Sequence, residues 1–87
     1  MKVQIESLAG SIMYDTPGID GLSLVKQTAV DYSIENNGDT IETEKIFEVL
    51  DEMIERGDVF FDEAEDAWYF SDSNEARQAV ENYLDKD

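Results

Sequence analysis

Residues 43–70 have the sequence TEKIFEVLDEMIERGDVFFDEAEDAWYF, in which a helix pattern is followed directly by a hairpin pattern. In residues 43–56 the apolar side chains recur at three- and four-residue intervals and occupy one broad helical face. They are Ile46, Phe47, Val49, Leu50, Met53 and Ile54. Thr43 fits the N-cap position and Gly57 fits the C-terminal stop. We therefore predict a helix over residues 43–56, the clearest element in the chain.

The hairpin pattern consists of two aromatic runs on either side of an acidic turn. Residues 58–62 and 67–71 are rich in strand-forming side chains, and we predict that they pair as antiparallel strands. The expected facing pairs are Phe61–Trp68, Val59–Phe70 and Phe60–Tyr69. One side of the hairpin then packs on the core. Phe60 and Tyr69 lie on the other side and are candidates for contact with a partner.

The N-terminal segment shows alternation. Val3 and Ile5 alternate with polar neighbours, as in a short strand. Residues 8–10 fit a turn, and residues 11–14 fit a second strand. We therefore predict an N-terminal β-hairpin, followed by a loop at the breaker Thr16-Pro17-Gly18.

Residues 22–35 fit two patterns. Helical spacing is found at Leu22, Val25, Ala29 and Tyr32, with Ser23 as a cap and residues 36–38 as a stop. A strand is the alternative, because Val30, Tyr32 and Ile34 alternate with polar residues and Asn37-Gly38 is a hairpin signal. We favour the helix, because residues 24–29 have no period of two.

The C-terminal segment completes the predicted fold. Asp72 or Ser73 fits the N-cap of a last helix, whose apolar stripe is Ala76, Ala79, Val80, Tyr83 and Leu84. Residues 1–87 then form a small single α+β domain: N-terminal β-hairpin, two central helices, acidic β-hairpin and C-terminal helix. Over residues 22–71 this order resembles a winged-helix module, with the acidic hairpin in the place of the wing. DNA-binding winged helices carry Arg and Lys in the second helix and the wing, whereas these places are acidic here.

The net charge of the chain favours some classes of function and disfavours others. The chain has 22 acids and six bases, a formal net charge of −16, and neither His nor Cys. Residues 35–87 hold 18 of the acids and four of the bases, a net charge of −14. Such a field repels nucleic acids and anionic membranes and attracts basic surfaces. The sequence has no signal peptide pattern and no apolar run of about 18 residues. We therefore expect a cytoplasmic protein with no direct nucleic-acid or membrane binding.

The acids are numerous, and several of them share one face of a predicted helix. Four of them fall within about 60° on the outer face of the predicted helix over residues 43–56. They are Glu44, Glu48, Asp51 and Glu55, with Glu52 at the edge. Like charges at i,i+4 spacing destabilise a helix, so stability alone does not favour this pattern. In sequence the pattern continues through Asp58 to the acids of the hairpin turn, which are Asp62, Glu63, Glu65 and Asp66. We interpret these acids, with Phe60 and Tyr69, as a candidate partner-binding surface.

A rigid array of carboxylates is physically similar to a line of phosphates, and an Arg fork binds both. In size and charge the chain resembles the acidic nucleic-acid mimics of phages and mobile elements, such as anti-restriction and anti-CRISPR proteins. The resemblance implies a non-enzymatic inhibitor that occupies the basic groove of a nucleic-acid-binding protein or nuclease complex, in the host cytosol if a phage encodes it. The alternatives are a small acidic interaction module that uses an apolar surface, including a homodimer contact, and a halophile-adapted domain of unrelated function.

We expect no metal, cofactor or catalytic residue. An EF-hand loop that starts at Asp62 fails, because Ala64 stands where the loop needs an acid or amide, Ala67 where it needs glycine and Ser73 where it needs glutamate. Without His or Cys, imidazole and thiolate chemistry are excluded.

Overall fold

The computed structural model describes the backbone of residues 2–84 and the side chains of residues 2–81. This part of the chain forms four helices and one two-stranded antiparallel hairpin, which confirms the α+β fold class. The elements are α1 (Lys2–Asp15), α2 (Gly21–Glu35), α3 (Thr43–Arg56), β1 (Val59–Asp62), β2 (Ala67–Phe70) and α4 (Asn74–Leu84).

The N-terminal segment is the helix α1, so the predicted N-terminal β-hairpin is wrong. Ile5, Ala9, Ile12 and Met13 recur at helical intervals and are all buried. Ile12 and Met13 are adjacent, and a strand would send adjacent side chains to opposite faces, whereas a helix places both against the core. Val3, whose alternation with polar residues suggested a strand, is 76% exposed.

The helix prediction for residues 22–35 is confirmed by α2, and the strand alternative is wrong. The cap is Asp20, one residue before the helix, whose Oδ2 accepts a hydrogen bond from the Ser23 amide at 3.0 Å. This bond lowers the pKa of Asp20, because the capping amides stabilise the charged carboxylate. The helix stops at Asn36, after which Asn37 and Gly38 adopt positive φ angles of 59° and 91°.

The bounds of α3 match the sequence prediction. Its N-cap is Glu42, which makes no side-chain capping bond, so the prediction of Thr43 as the cap is wrong by one residue. Gly57 ends the helix with a φ of 84°, a left-handed conformation that favours glycine.

The hairpin has the predicted register, with Phe60 opposite Tyr69 and Phe61 opposite Trp68. It is also bonded to the connection between α1 and α2. The Trp68 amide donates to the Ile19 carbonyl at 2.9 Å, and the Gly18 amide donates to the Trp68 carbonyl at 3.0 Å. The second strand is therefore anchored to the helices as well as to β1.

Ser73 is the residue that caps α4, since its Oγ accepts a hydrogen bond from the Ala76 amide at 3.1 Å. Ala76 is buried, whereas Val80 of the predicted apolar stripe is 36% exposed. The predicted positions Tyr83 and Leu84 lie outside the described side chains.

The core lies where the first three helices meet the hairpin. Its buried members are Ile5, Ala9, Ile12, Met13, Leu24, Val25, Ile46, Val49, Leu50, Met53, Val59 and Trp68. The ring of Phe61 stacks on Trp68 at a centroid distance of 4.4 Å and extends the core along the hairpin. Leu22, predicted on the apolar face of α2, is 65% exposed, and Phe47 of α3 is 42% exposed.

Candidate functional site

Four carboxylates follow the outer face of α3, and we call them the acidic stripe: Glu44, Glu48, Asp51 and Glu55. All four are exposed. The helical step of about 100° places them on the side opposite Ile46 and Met53, which are buried. At about 1.5 Å per residue, the stripe extends roughly 16 Å along the helix axis. Packing of the opposite face therefore holds a straight row of carboxylates towards solvent.

Little positive charge neutralises the acidic stripe. Lys45 Nζ lies 4.0 Å from Glu48 Oε2, the outer limit of an ion pair. Within residues 2–81, no Lys or Arg nitrogen lies within 4 Å of the carboxylates of Glu44, Asp51 or Glu55. These three acids are therefore available to a cationic partner.

Two acids at the margins of the stripe are already paired within the molecule. Glu52 forms an ion pair with Lys2 of α1. Asp58 accepts hydrogen bonds from Arg56, and its Oδ2 lies 2.8 Å from Nη2. Arg56 also pairs with Glu6, and hydrogen bonds to Glu6 and Asp58 raise the pKa of its guanidinium. Of the predicted site residues, Glu52 thus joins α3 to α1, and Asp58 holds the Arg56 side chain at the end of α3.

At the hairpin tip, two of the four acids organise the backbone. Asp62 is buried, and its Oδ1 accepts a hydrogen bond from the Ala64 amide at 3.1 Å. Asp66 has a φ of 49°, and its Oδ1 accepts a hydrogen bond from the Gly21 amide at 3.2 Å. The tip is therefore tied to the first turn of α2. The exposed acids Glu63 and Glu65 lie between these two anchors.

The tip and the acidic stripe lie on different elements. Asp58, which follows α3, is separated from Asp62 at the tip by the length of β1, about 13 Å at 3.3 Å per residue. Sequence adjacency suggested one continuous track. The structure brings the four stripe residues together on α3 and ties the tip to the first turn of α2.

The aromatic pair on the second face of the hairpin is stacked, with Phe60 and Tyr69 ring centroids 6.1 Å apart. Both residues are half-buried, and α4 packs against both strands. Tyr69 shares a small cleft with Pro17 and Ala79. The face that the sequence left open is therefore partly covered by α4.

Sequence reasoning missed the exposure of Phe47. This residue precedes Asp51 by one helical turn, so its ring borders the acidic stripe. Its place at the edge of the predicted apolar face was the signal, because edge positions are the ones that a core leaves uncovered. The stripe thus has an apolar contact beside it.

Comparisons with protein-family models, curated proteins and solved structures found no match. None of the described helices has the length and apolar character needed to cross a membrane. Among the described residues, no three acidic side chains are grouped so that they would hold a metal ion.

Proposed function

We propose that the protein is a non-enzymatic inhibitor that presents the acidic stripe to the basic groove of a nucleic-acid-binding enzyme. A restriction endonuclease or a CRISPR–Cas nuclease complex has a groove of this kind. One observation carries the proposal: four carboxylates are exposed in a row on one face of a packed helix. Three of them have no cationic partner among the described residues.

The stripe has the length of a short run of phosphate backbone, with its charges more widely spaced. Its four charges span roughly 16 Å, an average of about 5.5 Å per charge along the axis. One strand of DNA places a phosphate every 3.4 Å or so along its axis. The stripe therefore covers the length of about five phosphate steps with four charges. Because α3 is already folded, little conformational entropy is lost when a groove of Arg and Lys closes on it.

The order of the elements supports the winged-helix resemblance. Three helices precede the hairpin, and the bridge between Ile19 and Trp68 adds a short third extended segment beside it. Over residues 22–71, where the resemblance applies, α3 holds the place of the second helix, which is basic in DNA-binding members. The protein would then keep the shape of a DNA-binding module with the sign of its charge inverted.

Two variants with the same net charge test the role of the stripe. The stripe variant is E44Q/E48Q/D51N/E55Q, and the control variant is E35Q/D39N/D72N/E81Q. All eight positions are exposed. DNA cleavage by a panel of restriction endonucleases and CRISPR–Cas complexes is measured with each protein. We expect wild type and the control variant to inhibit at least one member, the stripe variant to lose that inhibition, and added duplex DNA to relieve it.

Equal inhibition by the two variants would contradict the proposal, because each has lost four carboxylates.

A second candidate function, an acidic interaction module, is favoured by the exposed ring of Phe47. That module would bind its partner in about 0.5 M salt and would lose binding in Phe47→Ala, because apolar contacts are barely screened. A halophile domain would inhibit none of the enzymes and would unfold in low salt but refold above about 1 M.

A further inference from the structure

The two edges of the acidic stripe differ in chemistry. The helical step of about 100° places Lys45 and Arg56 on one side of the stripe, which we call the basic edge. The same step places Phe47 and Ile54 on the other side, which we call the Phe47 edge. Phe47 is 42% exposed, whereas Ile54 is half-buried and packs against the core. An exposed aromatic ring therefore borders the carboxylates at the Phe47 edge.

The cations of the basic edge are already engaged within the molecule. Arg56 pairs with Glu6, so this edge faces α1. Lys45 Nζ lies 4.0 Å from Glu48 Oε2. Cations in these positions repel the cations of a partner. A basic partner therefore approaches the stripe from the Phe47 edge, on the side of α3 away from α1.

Two carboxylates flank the ring of Phe47 along the helix. Glu44 lies three residues before Phe47 and Asp51 four residues after it, and these spacings bring Cβ atoms to about 5–6 Å from one another. Both acids are exposed, and within residues 2–81 neither has a Lys or Arg nitrogen within 4 Å. The face of an aromatic ring is itself the negative part of its quadrupole. The Phe47 edge therefore offers a cation both an apolar ring and two carboxylates.

We propose that the Phe47 edge is an arginine-binding site, an inference that rests on the proposed function and names the side chain by which the partner holds the stripe. The guanidinium stacks on the Phe47 ring and donates hydrogen bonds to Asp51 or Glu44. Arg suits this arrangement, because its planar fork binds a carboxylate bidentately and its weakly hydrated plane stacks on aromatic rings. Lys suits it less, because its ammonium is a compact and strongly hydrated point charge.

The arginine belongs to a basic partner and not to a second copy of this chain. The chain has two arginines, Arg56 and Arg77, and Arg56 is held by Glu6 and Asp58. Two chains that each have a net charge of −16 also repel one another. Mimicry of phosphates by charge alone needs no ring beside the carboxylates, because a phosphate has no apolar surface. The ring therefore gives the stripe an affinity for guanidinium groups that a phosphate backbone lacks.

Two labelled peptides of equal length, oligoarginine and oligolysine, test the site by fluorescence anisotropy with the full chain in about 0.05 M NaCl. We expect wild type to bind oligoarginine more tightly than oligolysine. Phe47→Leu keeps an apolar side chain and removes the ring, so it should weaken oligoarginine binding by about two- to fivefold and leave oligolysine binding nearly unchanged. Phe47→Trp should strengthen oligoarginine binding, because Trp is the best cation–π partner.

Two further variants are the controls, and far-UV circular dichroism confirms that every variant is folded. Tyr14→Leu removes a ring that is 67% exposed but lies on α1, so it should keep the wild-type ratio of the two affinities. Lys45→Gln removes a cation of the basic edge and should strengthen the binding of both peptides alike. The proposal is overturned if Phe47→Leu keeps the wild-type ratio, or if Phe47→Trp does not strengthen oligoarginine binding. It is also overturned if Tyr14→Leu or Lys45→Gln changes the ratio as Phe47→Leu does.

The peptide assay contains no nuclease, so failure of the arginine site and failure of the proposed function give different results. Stripe-dependent inhibition of a nuclease together with an unchanged ratio in Phe47→Leu overturns the arginine site alone. Loss of the arginine preference in Phe47→Leu, with no nuclease inhibited by wild type, contradicts the proposed function alone. Oligoarginine binding that persists undiminished in about 0.5 M NaCl also overturns the arginine site, because a contact between charges weakens in salt.

Discussion

Reversing the charge at Asp51 should stabilise the domain and weaken any contact that the acidic stripe makes. Asp51 lies three residues after Glu48 and four residues before Glu55, and all three carboxylates share one exposed face of α3. Like charges at these spacings destabilise a helix by about 0.2–0.5 kcal/mol per pair. Asp51→Lys removes two repulsive pairs and forms two attractive pairs in their place.

The expected magnitude follows from these two pairs. Each pair changes sign, which is a difference of about 0.4–1 kcal/mol per pair, and Lys has a higher helix propensity than Asp by a few tenths of a kcal/mol. Lys before Glu is the weaker order of an i,i+4 pair, so we take the lower part of this range, about 1 kcal/mol. In a domain of 87 residues that raises the midpoint of thermal unfolding by roughly 4–8 °C.

Thermal unfolding followed by far-UV circular dichroism measures this gain, in about 0.02 and 0.5 M NaCl. The gain should shrink at the higher salt, where the screening length is only about 4 Å. Asp39→Lys is the control, because Asp39 lies in the exposed connection between α2 and α3 and changes the net charge equally. The reasoning is refuted if Asp51→Lys is no more stable than Asp39→Lys, or if its advantage persists undiminished in high salt.

Three further changes test the fold that holds the stripe. Leu50 is 0% exposed, so Leu50→Ala should lower the free energy of unfolding by about 2–5 kcal/mol in urea titrations. A smaller loss would mean that the core closes around the cavity. Asp66→Ala should lower the free energy of unfolding by about 1 kcal/mol, because the Gly21 amide loses its acceptor. Glu63→Ala at the same tip should have little effect. Equal losses in the two variants would contradict the anchoring role of Asp66. The pKa of Asp20 is below its ordinary value of 3.8, so its contribution to stability is present above that value and is lost as the pH falls through the folded-state pKa. Asp20→Ser keeps a capping oxygen without the charge and should show a shallower loss of stability towards acid in urea titrations; parallel losses in the two proteins would refute the assignment.

The sequence alone predicted α3 and the hairpin, because the residues on both faces of each element follow a clear pattern. In α3 the apolar positions and the acids occupy opposite sides, so one helix register satisfies both. In the hairpin, pairing Phe61 with Trp68 places two large rings on one side, and the structure has this pair in contact. Local pattern and tertiary packing agree in these two segments.

The sequence was insufficient for α1 because its local signals were weak. Val3 alternates with Ile5, and Gly10 interrupts the middle of the segment, which together favoured two short strands. What decides the helix is the burial of Ile12 beside Met13 against the other helices, and this contact exists only after the chain has folded.

The partners of the acids could also be predicted only in part from the local sequence. The register of α3 correctly grouped the four acids of the stripe, since helical spacing fixes their relative positions. Glu52 is paired by Lys2, which is distant in sequence, and Asp66 by the Gly21 amide. These partners depend on α1 being a helix and on the hairpin lying against α2, so neither was visible in the local pattern.

The bridge between Ile19 and Trp68 gives the chain a kinetic property. The two residues are 49 positions apart (68 − 19), yet their backbones are hydrogen-bonded at 2.9 Å. During synthesis the N-terminal elements emerge first, so α1 and α2 can pack while the connection between them still lacks its strand partner. That partner is made only when the chain has grown by a further 49 residues after Ile19. We therefore expect the junction of the first two helices and the acidic hairpin tip to become rigid together, in one late step of folding.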